Sequence, residues 1–326
     1  MPKARLFITH PLYPDAQSLL ESCCDCEFWT RQQRPSREEL LARLKDKEGL
    51  VCLLTERIDD DLLRSAPKLR IVANVAVGYD NIDLPACTRR GVVVTNTPGV
   101  LDETTADFAF ALLLAVARRV VEADHFVRAG NWKGWDFDQF CGTDVWGKTL
   151  GIVGFGRIGR AVARRAAGFN MKVLYNNRTR ASEQIEKELH AEYRDLNTLL
   201  AESDFISLHV PLNGDTRHLF DALKFSQMKP TAYLINTSRG PVVDEAALVH
   251  ALESNKLAGA GLDVFEQEPS VHSGLKRPNV VLAPHLGSAS NETRAKMAIT
   301  AAKNIVAIFQ GQRPLNMLNP EVIKST

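Results

Sequence analysis

A glycine-rich segment near the middle of the chain restricts the fold more than any other feature of the sequence. A short apolar run, residues 150–153, is followed by Gly-Phe-Gly-Arg-Ile-Gly over residues 154–159 and then by a helical pattern that extends to residue 167. A strand, a GxGxxG turn and a helix in this order form a site in which a pyrophosphate lies at the helix N-terminus. A second apolar run, residues 171–175, completes a βαβ unit. We therefore predict a dinucleotide-binding Rossmann unit; a glycine loop without a ligand is the alternative.

The residues after the second strand bear on which dinucleotide is bound. NAD-binding versions of this unit carry an Asp or Glu about 20 residues beyond the glycines, where it accepts hydrogen bonds from the ribose 2′-hydroxyl. Here the sequence reads Asn176-Asn177-Arg178-Thr179-Arg180, with two guanidinium groups and no carboxylate. Arg binds phosphate through a planar set of donors. We predict that NADPH is preferred over NADH; the alternative is that both arginines are solvated surface charges.

Composition and charge indicate an ordinary soluble enzyme. A chain of 326 residues predicts about two domains. Its 40 Lys and Arg residues nearly balance its 39 Asp and Glu residues, which argues against a surface for nucleic acid or membrane. The first residues lack the apolar core of a signal peptide, and the longest apolar run, residues 108–117, is about half as long as a bilayer requires. We expect a cytoplasmic protein that binds neither nucleic acid nor membrane.

Short apolar runs alternate with helical patterns in both halves of the chain. In addition to the two strands of the glycine-rich unit, the predicted strands are residues 6–8, 49–54, 69–75, 92–94, 205–210, 232–236, 259–264 and 280–283. The predicted helices outside that unit are residues 35–44, 59–65, 101–120 and 291–309. This βα repetition predicts an α/β protein whose parallel sheets carry helices on both faces.

Three charged or titratable residues follow successive downstream strands, where open α/β sheets bind their ligands. They are Arg239, Glu268 and His285. This set suits carbonyl reduction, because the Arg polarises the carbonyl oxygen and anchors an adjacent carboxylate, the His supplies a proton, and the Glu holds the imidazolium in place. Taken singly, each residue has a structural alternative: a surface Arg, a turn Glu or a buried structural His.

Three of the six cysteines, Cys23, Cys24 and Cys26, stand close together. Their spacing is too tight for a comfortable disulfide, and no His or Cys cluster with zinc-ligand spacing follows, so we predict no metal site. Reduced thiols near a helix-to-strand junction are the simplest interpretation.

Five motifs, taken together, resemble those of the D-isomer-specific 2-hydroxyacid dehydrogenases. They occupy residues 77–83, 154–159, 236–240, 261–269 and 284–289. Within that family the chain is most similar to the glyoxylate/hydroxypyruvate reductases, including those that also reduce 2-ketogluconate. The sequence Asn177-Arg178-Thr179 fits the NADPH preference of that branch.

The resemblance implies roles for individual residues. Arg239 and Glu268 correspond to the catalytic arginine and carboxylate, and His285 to the proton donor; Arg239 and His285 also contact the substrate. The backbone N–H groups of Val77 and Gly78 correspond to the loop that holds the substrate carboxylate. The implied cofactor-binding residues are Thr105, Phe155, Gly156, Arg157, Ile158, Asn177, Arg178, Thr179, Val210, Pro211, Thr237, Ser238, Arg239, Asp263, His285 and Gly287.

The resemblance also implies an architecture of two Rossmann-like or flavodoxin-like domains. A discontinuous substrate domain would comprise residues 1–98 and 288–326, and the NAD(P)-binding domain residues 99–287, with the active site in a cleft that closes and excludes water. A homodimer is expected through the helix at 101–120 and the loop at 130–145. In mammalian relatives a Trp of that loop reaches the partner's active site; here Trp135 is present but Gln139 aligns with a second Trp, so an aromatic dimer contact without a catalytic role is equally open.

These features lead to a functional hypothesis: the chain reduces small 2-oxo acids with NADPH, glyoxylate to glycolate and hydroxypyruvate to D-glycerate. Activity on 2-ketogluconate or as another D-2-hydroxyacid dehydrogenase is the alternative. A remoter alternative is a non-enzymatic nucleotide sensor, because the C-terminal-binding corepressors share this fold and the Arg, Glu and His trio. The sequence does not rank these substrates, because pocket size depends on loop positions.

Overall fold

The computed structural model describes residues 3–323, which form two compact units, each built around a parallel sheet. The first unit contains the residues up to 101 together with those from 289 onwards, and the second contains residues 102–288. The sequence placed the limits of the two domains after residues 98 and 287, and this assignment stays a prediction. The predicted α/β class with two parallel sheets is confirmed.

Twelve strands occur in the described part of the chain, and most of them are buried along their length, as expected for parallel strands covered on both faces. They are β1 (Ala4–Ile8), β2 (Cys24–Phe28), β3 (Gly49–Cys52), β4 (Ile71–Asn74), β5 (Val93–Thr95), β6 (Thr149–Val153), β7 (Lys172–Asn176), β8 (Ala191–Tyr193), β9 (Phe205–Leu208), β10 (Tyr233–Asn236), β11 (Gly259–Leu262) and β12 (Val280–Leu282).

Within residues 3–323, twelve α-helices connect or follow the strands. They are α1 (Pro14–Cys23), α2 (Arg37–Leu44), α3 (Asp60–Ser65), α4 (Leu84–Arg89), α5 (Asp102–Ala117), α6 (Val120–Arg128), α7 (Arg157–Gly168), α8 (Glu183–Leu189), α9 (Leu196–Glu202), α10 (Ala222–Gln227), α11 (Glu245–Glu253) and α12 (Asn291–Phe309). Side chains cap several of them: Ser36 and Glu39 form a capping box at α2, and Ser290 accepts the Thr293 N–H at α12. No helix within residues 3–323 combines the length and apolar character needed to cross a bilayer.

The sheet of the first unit has the order β2-β1-β3-β4-β5, and all of its pairings are parallel. Helices α1 and α12 pack against each other, and α12 also contacts β4. A second apolar cluster, which includes Phe7, Leu44 and Leu62, lies among β1, α2 and α3. Strand β4 lies between β3 and β5, and the loop that follows it contains Val77 and Gly78.

The sheet of the second unit has the order β12-β11-β10-β9-β6-β7-β8 and is also parallel throughout. The chain builds outwards from β6 to β7 and β8, and then returns to β9 on the opposite side of β6. Ligands of open α/β sheets bind at such a reversal, beyond the carboxyl ends of the strands. Helix α5 packs against α7 and against β10 and β11. The predicted nucleotide site therefore lies at the switch point between β6 and β9.

Several elements, among them β2, β8 and α6, were not predicted, and one predicted helix is wrong in its extent. Strand β2 is a polar edge strand, and β8 has only three residues, so neither forms an apolar run. The helix predicted over 101–120 ends at Ala117, because Arg119 adopts a left-handed conformation with φ of 54° and a second helix, α6, follows.

The Cys23 and Cys24 sulfurs lie 3.4 Å apart where α1 meets β2, so the cysteine cluster does stand at a helix-to-strand junction. Within the described residues, no group of three or more His, Cys, Asp or Glu side chains is arranged to hold a metal ion.

Candidate active site

The glycine-rich turn joins β6 to α7, and its three glycines have different surroundings. A Cβ on Gly154, whose φ is +96°, would lie 2.6 Å from the carbonyl carbon of His209, and a Cβ on Gly159 would lie 2.1 Å from the Gly154 oxygen. A Cβ on Gly156 would meet nothing within 4 Å. The first and third glycines thus allow close packing within the protein, whereas the second borders open space at the start of α7. This is the arrangement that a pyrophosphate requires at a helix N-terminus.

Phe155 is a core residue of this turn. Its side chain is 1% exposed and stacks on Tyr175 with ring centroids 4.0 Å apart. Its backbone N–H donates to Asn177 Oδ1 at 3.1 Å. The N–H group of Phe155 is therefore already bonded within the protein, and the adjoining residues Gly156, Arg157 and Ile158 are better placed to face a pyrophosphate.

The two arginines in the loop after β7 differ in their hydrogen-bond partners. Arg180 forms two hydrogen bonds of 2.9 Å with Glu186, whose carboxylate also accepts the Tyr175 hydroxyl. The Arg180 guanidinium is the main reason that the pKa of Glu186 falls to about 2. Arg178 is exposed and has no hydrogen bond or ion pair among the residues that the structure describes. The prediction that both guanidinium groups are available for a 2′-phosphate therefore needs correction, since Glu186 holds one of them.

Asn177 connects this loop to the glycine-rich turn. Its carbonyl oxygen accepts the Phe155 N–H, and its amide donates to the Thr179 carbonyl at 2.9 Å. On the other side of the switch point, the loop after β9 contains Val210, which packs on the apolar core, and the exposed Pro211. These two loops lie on either side of the glycine-rich turn.

Arg239, Glu268 and His285 lie in the loops after β10, β11 and β12, three neighbouring strands that end at the same edge of the sheet. His285 Nδ1 is 3.0 Å from Glu268 Oε2. Burial raises the pKa of Glu268, but the hydrogen bond and charge of His285, the Phe265 N–H and the charge of Arg239 outweigh this effect, so that the pKa lies below its usual range. The structure thus pairs the predicted proton donor with the predicted carboxylate, and the imidazole Nε2 has no hydrogen bond within the described part of the chain.

Asp263 fixes the loop that carries His285. Its carboxylate is almost completely buried and accepts the N–H groups of Leu286 at 2.5 Å and Gly287 at 2.8 Å. Burial raises the pKa of this carboxyl, an effect that the two N–H donors and the nearby His285 partly offset. A Cβ on Gly287 would meet Asp263 Oδ2 at 3.2 Å and Thr105 Cγ2 at 3.4 Å. Asp263, Gly287 and Thr105 therefore form one compact group beside the predicted proton donor.

The loops that carry Arg239 and Glu268 are in direct contact. A Cβ on Gly240 would lie 1.9 Å from the Phe265 backbone, so only glycine fits at this position. Glu266 strengthens the contact: its N–H donates to Glu245 Oε1 at 2.6 Å, and its Oε1 lies 2.6 Å from His218 Nε2. Glu266 thus connects the loop after β11 to α11 and to His218. No motif singled them out, because their contacts are long-range.

The turn after β10 contains a buried hydroxyl group that bears on whether a dinucleotide fits the site. Ser238 donates its N–H and its hydroxyl to Asn236 Oδ1, which fixes this turn. The Thr237 hydroxyl is buried and has no hydrogen-bond partner among the described residues. A buried hydroxyl without a partner costs free energy unless a ligand satisfies it. Together with the open space at Gly156, this hydroxyl fits a bound dinucleotide.

The predicted substrate-carboxylate residues, Val77 and Gly78, belong to the first unit. They lie in the loop after β4, where two buried side-chain amides bind their carbonyl oxygens: Asn96 Nδ2 donates to Val77 and Asn74 Nδ2 donates to Gly78, each at 2.8 Å. Neither amide was identified from the sequence.

Known proteins share this fold and are similar to this chain in sequence. Residues 110–287 match the model of the D-isomer specific 2-hydroxyacid dehydrogenase, NAD binding domain. The glyoxylate reductase of Thermococcus litoralis is 53% identical over 329 residues, which cover 99% of this chain and 99% of that protein. The glyoxylate reductase of Korarchaeum cryptofilum is 54% identical, covering 99% and 98%. The crystal structure of the NADPH-dependent glyoxylate/hydroxypyruvate reductase of Sinorhizobium meliloti, in complex with NADP and malonate, has a TM-score of 0.88 at 33% identity and covers 99% of both chains.

The matched fold and the matched nucleotide-binding domain define a nucleotide-dependent dehydrogenase, and the resemblance found in the sequence is confirmed. The chain belongs to the D-isomer-specific 2-hydroxyacid dehydrogenases.

Proposed function

We propose that this chain reduces small 2-oxo acids with NADPH, converting glyoxylate to glycolate and hydroxypyruvate to D-glycerate. The observation that carries the proposal is the 3.0 Å contact between His285 and Glu268, which lie with Arg239 on neighbouring strand ends of the nucleotide-binding unit. The relatives named glyoxylate reductase, at 53% and 54% identity over almost the full chain, support glyoxylate as a substrate.

In the proposed reaction the bound nicotinamide supplies a hydride to C2 of the 2-oxo acid. His285 holds a proton on Nε2 and transfers it to the carbonyl oxygen, so the net reaction consumes one proton and forms the hydroxyl group. Glu268 accepts a hydrogen bond from Nδ1, which fixes the ring and stabilises the protonated imidazole before transfer. The Arg239 guanidinium binds the substrate carboxylate and polarises the carbonyl, because it offers several donors at fixed angles.

The nucleotide would be held by the second unit. Arg178 would bind the 2′-phosphate and thereby favour NADPH over NADH. The NADP complex of the Sinorhizobium relative supports this assignment. The remaining proposed cofactor contacts are Thr105, Phe155, Gly156, Arg157, Ile158, Asn177, Thr179, Val210, Pro211, Thr237, Ser238, Arg239, Asp263, His285 and Gly287.

The first unit would act as the substrate domain, and Val77 and Gly78 would bind the substrate carboxylate through their backbone N–H groups. We also propose a homodimer, supported by an apolar surface on α6 and on the segment that follows it. The exposed side chains of this surface are Val120, Val127, Trp132, Trp135, Phe137 and Trp146. The cytoplasmic location stays a prediction from the sequence.

The proton-donor role is tested by His285→Ala. We expect kcat/KM for glyoxylate to fall by about two to four orders of magnitude, because general acid catalysis contributes about that much. NADPH binding, measured by nicotinamide fluorescence, should change little. His250→Ala, which alters an exposed histidine on α11 of the same unit, is the matched control and should retain wild-type turnover. Near wild-type turnover in His285→Ala would overturn the assignment.

A further inference from the structure

The loop between β4 and α4 presents a row of backbone donors. The N–H groups of Ala76, Val77, Gly78 and Tyr79 have no hydrogen-bond acceptor among the described residues. The N–H of Val75, immediately before them, is bonded to the Cys52 carbonyl. Successive N–H groups without acceptors form a concave site that favours an anion.

Two side-chain amides bind this loop from the protein interior. Asn74 is the last residue of β4 and is 0% exposed, and Asn96 follows β5 and is 7% exposed. Asn74 Nδ2 donates to the Gly78 carbonyl and Asn96 Nδ2 to the Val77 carbonyl, each at 2.8 Å. The two amides therefore bind the carbonyl groups of two consecutive peptides.

Further hydrogen bonds hold both residues in place, through the side chain of Asn74 and through the backbone of Asn96. The Asn74 carbonyl oxygen accepts the Cys52 thiol at 3.7 Å within the buried sheet. The Asn96 N–H donates to the Asn316 carbonyl at 3.2 Å, and the Asn96 carbonyl accepts from Asn304 Nδ2 at 3.5 Å. Asn74 thus connects the loop to the sheet, and Asn96 connects it to the C-terminal segment.

Because the peptide bond is planar, these hydrogen bonds to carbonyl groups also fix the directions of the neighbouring N–H groups. In a trans peptide the C=O and the following N–H point in opposite directions. The hydrogen bond from Asn96 to the Val77 carbonyl therefore directs the Gly78 N–H away from the interior. In the same way, the bond from Asn74 to the Gly78 carbonyl directs the Tyr79 N–H outwards.

We propose that Asn74 and Asn96 are positioning residues for the substrate carboxylate: by binding the Gly78 and Val77 carbonyls, they hold the Gly78 and Tyr79 N–H groups in the orientation that receives the anion. This inference rests on the proposed reduction of 2-oxo acids, and it adds Tyr79 to the donors of the loop. The amides do not touch the substrate. They reduce the conformational freedom that the loop would otherwise lose on binding.

The inference predicts a specific kinetic effect of Asn74→Ala and Asn96→Ala. Each variant should raise KM for glyoxylate by about three- to tenfold, the equivalent of one weakened hydrogen bond, whereas kcat should stay within about twofold. The dissociation constant of NADPH should not change, because the loop belongs to the first unit. Binding of oxalate to the NADPH complex, followed by fluorescence, should weaken in parallel with KM.

Asn319→Ala is the matched control. Asn319 is also a fully buried amide of the first unit; it accepts the Val94 N–H and donates to Val92, and it does not contact residues 76–79. Its loss should lower the melting temperature and leave KM for glyoxylate unchanged. If Asn319→Ala raised KM as much as the other two variants, general destabilisation would account for all three effects, and the inference would be wrong.

Unchanged KM and oxalate affinity in folded Asn74→Ala and Asn96→Ala would also overturn the inference while leaving the reductase activity intact. Failure of the wild-type protein to turn over any 2-oxo acid would instead reject the proposed function itself, so the two failures are distinguishable. If an alanine variant does not fold, Asn74→Ser and Asn96→Ser, which keep a small polar group, provide the same comparison.

Discussion

His285 and Glu268 act as a pair at the scale of single residues. The carboxylate lies 3.0 Å from Nδ1 and receives further stabilisation from the Phe265 N–H at 3.1 Å. These contacts lower the pKa of Glu268 in spite of its partial burial, so the carboxylate is ionised throughout the neutral range. An ionised carboxylate at this distance accepts a charge-assisted hydrogen bond and thereby fixes the orientation of the imidazole ring.

Glu268→Gln tests this pairing. The amide keeps the size of the side chain but removes the negative charge that accepts the hydrogen bond from the imidazole. We expect kcat/KM for glyoxylate to fall by about ten- to a hundredfold, because a hydrogen bond to a charged group contributes about 1.5–3 kcal/mol. Initial rates with NADPH measure the loss, and turnover close to that of the wild type would contradict the pairing.

Gly240 is a second residue whose identity is fixed by contact. A Cβ at this position would lie 1.9 Å from the Phe265 carbonyl, and the neighbouring backbone cannot move without disturbing the loops of Arg239 and Glu268. We expect Gly240→Ala to lower the free energy of unfolding by about 2–4 kcal/mol and to reduce activity. Gly168→Ala, at the end of α7 and with no atom within 4 Å of the new Cβ, is the control and should not destabilise the protein. Urea denaturation distinguishes the two, and equal stability of both variants would refute the steric argument.

At the scale of elements, the two arginines in the loop between β7 and α8 have different surroundings. Glu186 binds Arg180 through two hydrogen bonds, and Arg178 stands exposed beside the dinucleotide turn. The pair of Arg180 and Glu186 orders the loop, so Arg178 is the side chain that would meet a 2′-phosphate.

Two serine variants test this division. Arg178→Ser should lower kcat/KM for NADPH by about ten- to a hundredfold and leave that for NADH nearly unchanged, because a charge-assisted contact to phosphate contributes about 1.5–3 kcal/mol. Arg180→Ser removes the same charge from the same loop but should have a smaller effect on the NADPH to NADH ratio. Steady-state kinetics with both nucleotides provides the comparison. A larger loss of NADPH selectivity in Arg180→Ser would reverse the assignment.

Comparison of the predicted and observed elements shows where sequence patterns suffice. The turn at 154–159 and the strand ends before Arg239, Glu268 and His285 were predictable, because buried parallel strands form apolar runs and ligands bind at their carboxyl ends. The edge strand β2 and the three-residue β8 lack such runs, and the break at Arg119 depends on a backbone conformation that no local motif marks.

The hydrogen-bond and ion-pair partners of several side chains were also not predicted by the sequence patterns. Arg180 was expected to face a phosphate, but Glu186, six residues later, approaches it because α8 folds back on β7. The contact of His218 with Glu266 spans 48 residues, and the contact of Asn96 with Val77 spans 19. Such partners are set by tertiary packing, so they became visible only in the structure.

For the whole molecule, a feature outside the candidate active site is the group of exposed apolar side chains on α6 and in the segment after it. Trp135 is 82% exposed and Phe137 is 79% exposed, and their rings contact each other edge to face. Large exposed aromatic groups close together are typical of protein interfaces. They support the proposed homodimer.

The double variant Trp135→Lys with Phe137→Lys should therefore shift the protein from dimer to monomer, because burying two ammonium groups in an apolar interface is costly. Leu315→Lys is the control, since Leu315 is 94% exposed but belongs to the first unit and is distant from this surface in the sequence. Size-exclusion chromatography with light scattering reports the mass. A dimeric double variant would exclude this surface as the interface.

The most direct test of the account is the initial rate of oxidation of NADPH and of NADH with glyoxylate, hydroxypyruvate, 2-ketogluconate and pyruvate. The account predicts rapid turnover with NADPH and glyoxylate or hydroxypyruvate, slower turnover with NADH, and loss of both in His285→Ala. Absence of turnover with every 2-oxo acid, in protein that binds NADPH, would contradict the proposed reaction and leave the chain as a nucleotide-binding protein of this family without reductase activity.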